Sequence, residues 1–83
     1  MFRVLLTPRG QQDLNELDQS LRRRILIKLN MYAAMSNPLH FAKPLINLPP
    51  TTHRFRVGKY RIAFFIEEQT IFVERIQPRK DAY

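Results

Sequence analysis

The chain contains no cysteine. This excludes a disulfide framework and any thiolate metal site, and it fits a reducing compartment. Histidine occurs only at His40 and His53, too thin a donor set for a zinc centre. Acidic residues are scarce, seven Asp and Glu against 14 Lys and Arg, so the formal net charge is +7. No segment approaches the roughly 20 apolar residues that span a bilayer. The apolar run at residues 2–6 is too short for a signal-peptide core and is cut off by Thr7-Pro8. A soluble, cytoplasmic protein with no membrane partner is expected. Also missing are HExxH, GxSxG, the phosphate-binding loop and the dinucleotide-binding glycine pattern. Glu67 and Glu68 fall in a turn, where adjacent side chains diverge, so they do not form a two-metal cluster. No cofactor and no metal are expected. There is no internal repeat and no low-complexity segment.

What is present is a short, apolar, strongly basic chain. Its 83 residues suit one domain (1–83) with a small core. An apolar content of 45% is too high for a disordered basic tail. The charge is spread, net +4 over residues 1–50 and net +3 over residues 51–83, so the whole domain is electropositive and suits an anionic partner. Residues 2–6 read as a strand. Thr7 and Pro8 read as an N-cap and first helical residue, with Gly10 weakening the first turn. Leu14, Leu17, Leu21, Ile25 and Leu29, extended by Tyr32 and Ala33, recur at helical spacing. A break at Asp18-Gln19-Ser20 divides them into helices at about 8–17 and 19–35, Asp18 capping the second. Pro38, Pro44, Pro49 and Pro50 make 37–52 a loop, pinned to the core by Leu39, Phe41, Leu45, Ile46 and Leu48.

Three strands follow at about 52–57, 60–67 and 70–76, turned at Gly58-Lys59 and Glu68-Gln69. Phe55 and Val57 alternate with Arg54 and Arg56. Ile62, Phe64 and Ile66 form one row of the middle strand; Arg61, Ala63 and Phe65 form the other. In the last strand Ile71 and Val73 alternate with Phe72 and Ile76. The expected fold is α+β, ordered β-α-α-β-β-β, a mainly antiparallel sheet with two N-terminal helices packed on one face.

The chemistry in this pattern is carried by arginines, with tyrosines. Arg54 and Arg56 share a strand face, and Arg61 approaches them across the turn. Such a group can fork hydrogen bonds onto a phosphate and stabilise extra charge as a 2′-hydroxyl attacks it. The same residues also read as surface arginines whose stems cover apolar neighbours. Arg22, Arg23, Arg24 and Lys28 on the second helix read either as a solvated face or as a contact for RNA or a partner. Tyr60 and Tyr83 can stack on a base or pack in the core.

The stretch HRFRVGKYRIAFFIEEQTIFVERIQPRKDAY resembles the C-terminal half of the RelE/ParE superfamily of toxins, most closely its RelE-like branch. The block VGKYRI and the closing arginine and tyrosine carry the resemblance, and LxxLDxxLRRRI resembles the family's helical pair. The resemblance implies the toxin of a type II toxin–antitoxin system, an endoribonuclease that cuts messenger RNA on the ribosome by metal-independent attack of the 2′-hydroxyl. It implies catalytic roles for Arg54, Arg56, Arg61, Arg79 and Tyr83. Arg54 or Arg56 would assist the 2′-hydroxyl, Arg61 and Arg79 would neutralise the phosphorane-like charge, and Tyr83 would stack on a base or position the nucleophile. Lys59, Lys80, Arg22, Arg23, Arg24 and Lys28 would dock RNA or ribosome. Pro78 stands where some branches have a histidine, so no histidine acid–base role carries over, and a guanidinium is itself a poor proton donor. The implied partners are a cognate acidic antitoxin and the ribosome with its messenger. The alternatives are a ParE-like inhibitor of DNA gyrase, a branch that usually lacks the arginine–tyrosine ending, and a nonenzymatic antitoxin-binding protein.

Overall fold

The computed structural model describes residues 1–79. Strand β1 (Arg3–Leu6) leads into helix α1 (Pro8–Asn15) and helix α2 (Gln19–Ala33). A 3₁₀ turn (Pro38–Phe41) and a two-residue strand β2 (Lys43–Pro44) follow. The chain then forms β3 (His53–Val57), β4 (Tyr60–Glu67) and β5 (Thr70–Pro78). The sheet order is β1-β5-β4-β3-β2, with β1 parallel to β5 and the remaining pairs antiparallel. The fold is therefore the expected α+β arrangement, with one addition. The proline-rich stretch read as loop contributes β2, pairing Lys43 with Arg54 and Pro44 with His53. An edge strand tolerates proline because its outer N–H has no ladder partner.

Both helix starts obey local chemistry. Thr7 accepts from the Gly10 amide (3.2 Å), and its hydroxyl donates to the Val73 carbonyl (3.2 Å). Asp18 accepts from the Leu21 amide (2.9 Å) and restarts the helix. The stripe on α2 is buried as its spacing predicts: Ile25, Leu29, Tyr32 and Ala33 face Phe55, Val57, Ile62, Phe64, Ile71, Val73 and Ile76. Burying a side chain the size of Ile25 or Leu29 contributes about 2–3 kcal/mol. Tyr32 stacks on Phe55 (4.4 Å between centroids), which stacks on Phe64 (4.2 Å). Phe41 covers the other side of Tyr32 (5.4 Å). The loop is pinned through this ring and the fully buried Pro38, whereas Ile46 is 79% exposed and pins nothing. Among the described residues no helix is long and apolar enough to cross a membrane.

The last strand departs from simple alternation. Ala63 pairs with Arg75 and Phe64 with Val73, so Glu74 is an extra residue, a β-bulge. The bulge changes the parity of everything after it. Ile76 thus joins Ile71 and Val73 in the core rather than sharing a face with Phe72, as strict period-two reading expects.

Gly10 is required by a close approach rather than tolerated in a weak turn. A Cβ added there would lie 2.3 Å from the Val73 carbonyl oxygen, a backbone atom of β5. Gly10→Ala should therefore destabilise the fold by about 1–3 kcal/mol through overpacking, although alanine is the better helix former by about 1 kcal/mol. Thermal unfolding reads this as a fall of roughly 4–8 °C per kcal/mol. At the β4–β5 turn Glu68 and Gln69 both have positive φ (47° and 64°), the geometry that favours Asn-Gly. Replacing the pair by Asn-Gly should raise the unfolding temperature.

Candidate functional site

The face of the sheet opposite the helices carries the cations, and register sets their order. Arg56 pairs with Arg61, which pairs with Gln77. In the next row Lys43 pairs with Arg54, Arg54 with Ala63 and Ala63 with Arg75. The third row is apolar: Phe65 stacks on Phe72 (5.1 Å), and Leu5 lies beside Phe72. Arg54 and Arg61 both interact with other groups of the protein, and Nε of Arg61 is buried. The Arg79 amide donates to the Lys59 carbonyl at 2.7 Å, fixing the end of β5 against the β3–β4 turn. The backbone therefore brings Arg54, Arg56, Arg61, Lys59 and Arg79 to one corner of the sheet. Lys80 and Tyr83 lie outside the described residues.

The helical cations separate into two groups. The Arg24 guanidinium lies over the β3–β4 turn, 3.4–3.6 Å from where a Cβ on Gly58 would sit. Gly58 has φ 59°, a conformation suited to glycine. Arg24 thus adds charge to the arginine corner. Lys28, one turn further along α2, is partly buried. Arg22 and Arg23 instead flank a groove between α1 and α2 in which Leu26 and Ile27 are exposed. Tyr60 packs partly buried against the core, which favours its structural role over base stacking.

Asp13 is the site residue that sequence pattern did not reveal. Its Oδ2 accepts from the Ile76 amide (2.9 Å) and from Nε of Arg75 (2.8 Å), so α1 is tied to β5 just after the bulge. No spacing signals a contact across 62 residues of chain. Glu74, Arg75 and Gln77 were likewise hidden as site residues, because the bulge decides which way they face. With Arg9, Ala63 and loop residues 48–51 they line a groove of about 380 Å³ beside the arginines.

The architecture is a RelE-like toxin–antitoxin fold. It matches a chain of the toxin–antitoxin complex RelBE2 from Mycobacterium tuberculosis (TM-score 0.75, 24% identity, 94% of this chain and 98% of that one). It also matches the RelE–RelB complex of the archaeon Pyrococcus horikoshii OT3 (0.74, 22%, 98% and 98%) and the intact RelBE complex of E. coli (0.71, 16%, 94% and 96%). At identities below 25% these likenesses establish the fold. No curated protein matches the sequence significantly. Residues 4–83 match the ParE toxin of type II toxin–antitoxin systems, parDE, and the chain belongs to that toxin family.

Asp13→Ala leaves the Ile76 amide and the Arg75 side chain without their acceptor. It should cost about 1.5–3 kcal/mol, the range for hydrogen bonds to a charged group. Hydrogen exchange at Ile76 should accelerate more than exchange at Ile62 in the sheet centre. Equal acceleration at both would show that the carboxylate contributes only to global stability.

Proposed function

We propose that this toxin is a ribosome-dependent endoribonuclease that cuts messenger RNA. The observation that carries the reading is the cross-strand pair Arg56–Arg61 on the face opposite the helices, with Arg54 in the adjacent row and Arg79 tied by its amide to Lys59. Rigid strands hold these groups at fixed spacing, which suits a phosphate that gains charge during reaction. In the step proposed, the 2′-oxygen loses its proton and bonds to the adjacent phosphorus. The bond from phosphorus to the 5′-oxygen breaks, and that oxygen takes up a proton. The products end in a 2′,3′-cyclic phosphate and a 5′-hydroxyl. Arg54 or Arg56 assists the 2′-hydroxyl, Arg61 and Arg79 neutralise the pentavalent phosphorus centre, and Tyr83 stacks on or positions the substrate. Lys59, Lys80, Arg24 and Lys28 dock the surrounding RNA, and Arg22 and Arg23 serve as secondary contacts.

The partner that restrains such a toxin is an acidic antitoxin. The α1–α2 groove, with Leu26 and Ile27 exposed beside Arg22 and Arg23, suits an amphipathic acidic segment. A second reading, inhibition of DNA gyrase, is favoured by the family's own ParE description.

Arg61→Ala and Arg79→Ala should keep the fold and lower cleavage on programmed ribosomes by about 10²–10³, the usual loss for one donor to a developing oxyanion. Lys59→Ala should act mainly on docking and reduce the salt dependence of binding. Full cleavage by both arginine variants would remove their assigned roles. Blocked supercoiling by purified gyrase, with no RNA cut, would transfer the function to the second reading.

A further inference from the structure

We propose that β1 is a pairing edge for a second copy of this chain, joining two sheets into one across a twofold axis. The two edges of the sheet differ. Strand β2 is two residues long and consists of Lys43 and Pro44. Shortness, a lysine and a proline are the marks of a protected edge. Strand β1, at the other end of the sheet order, is four residues long and has neither lysine nor proline. Its inner side is committed to β5. The Arg3 amide donates to the Gln69 carbonyl (2.8 Å) and the Thr7 amide to the Val73 carbonyl (3.0 Å). Backbone groups alternate in direction along a strand, so Val4 and Leu6 turn their N–H and C=O outward. Among the described residues their amides make no hydrogen bond. The Phe2 amide also points outward, but it donates to the Ala33 carbonyl at the end of α2 (2.8 Å). The free stretch therefore runs from Val4 to Leu6, closed at one side by Phe2 and at the other by Pro8, which has no N–H.

This stretch is complementary to itself. Antiparallel pairing that sets Leu5 beside Leu5 of the second copy brings Val4 opposite Leu6 of the second copy, and Leu6 opposite its Val4. Each of these pairs exchanges both N–H···O bonds, so every outward group of Val4 and Leu6 is used. The register that sets Val4 against Val4 instead needs the Phe2 amide, which α2 already holds. Side chains agree with the first register. Leu5 is 46% exposed beside Phe72, which stacks on Phe65. Pairing continues this apolar row across the axis into its own image. Arg3 falls opposite Thr7 of the second copy, and the two Arg3 residues stand about 13 Å apart along the strands. The charge of +7 per chain does not oppose the pairing, because the arginine corner lies on β3 and β4. At about 4.8 Å per strand, β4 is about 24 Å from its image and β3 about 34 Å. All these separations exceed the screening length of about 8 Å at physiological salt. The axis is perpendicular to the sheet, so both helical layers lie on one side and both arginine corners stay uncovered on the other. A second copy suits this edge better than an acidic segment, because Arg3 is the only charge on β1. The proposal does not rest on the RNA-cleaving reading.

One short strand buries little area, so the dimer is weak and reversible. The test is sedimentation of purified antitoxin-free protein over a concentration series, with amide hydrogen exchange followed at each concentration. The mean mass should rise with concentration toward about twice the monomer value. Exchange at Val4 and Leu6 should slow in step with it, while exchange at Arg3 and Leu5 stays constant. Leu5→Lys places two like charges at the axis. It should hold the protein at monomer mass with thermal unfolding close to wild type. Val4→Pro removes an outward donor and no bond to β5, and it should act in the same direction. A monomer at every concentration overturns the proposal. So does a dimer that Leu5→Lys leaves intact and that gives no protection at Val4 and Leu6. Protection of these two amides only after antitoxin is added would assign the edge to an antitoxin strand and overturn the pairing of copies.

Discussion

One carboxylate holds the architecture in register. Asp13 reaches from α1 to the Ile76 amide and the Arg75 side chain, immediately beyond the extra residue in β5. A bulge leaves the ladder locally disrupted, and β1 pairs with β5 only as far as Val73. Without an acceptor at this point, the Ile76 amide would sit half-buried and unsatisfied, which is costly. The side chain of a helix residue does there what a neighbouring strand does elsewhere. The near contact of Gly10 with Val73 and the Thr7 hydroxyl on the same carbonyl serve the same docking. Together they seat α1 against the edge of β5.

The consequence is a sheet whose two faces hold different chemistry to the end of the last strand. On one face Ile71, Val73 and, past the bulge, Ile76 complete the core beneath α2. On the other, Gln77 falls into line with Arg56 and Arg61, and Arg79 is fixed at the adjacent turn. Like charges on neighbouring strands repel. Arg56 is exposed to water and counterions, and the half-buried Arg54 and Arg61 interact with other groups of the protein, while the opposite face carries the aromatic column of Phe41, Tyr32, Phe55 and Phe64. A toxin of this family therefore combines a small sealed core with a cationic surface that a phosphate-rich substrate or an acidic partner can neutralise.

Most of the fold was legible in the chain because short-range rules govern it. Thr7-Pro8 and Asp18 mark helix starts through caps they make within three residues. The α2 stripe, the Phe55/Val57 alternation and the split of Ile62 and Phe64 from Arg61 and Ala63 follow from helical and strand periods. Those periods alone put Arg54, Arg56 and Arg61 on one face. Strand β2 was hidden because prolines argue against strands unless the strand is known to lie at an edge, and edge position is a property of the assembled sheet.

The sequence by itself determined both helices, strands β1, β3, β4 and β5, the alternation of faces along β3 and β4, and the cationic excess. These depend on local backbone preference, periodicity and composition. Tertiary structure alone decided the bulge and the facing of Ile76 and Gln77 beyond it. It also decided the docking of Asp13 on a strand 63 residues away, the placement of Arg24 over Gly58 and the groove above Ala63. A bulge adds one residue without altering composition or local propensity. Its presence is settled by which arrangement buries the apolar side chains and satisfies every amide at once, and that balance exists only when helix, loop and sheet are brought together.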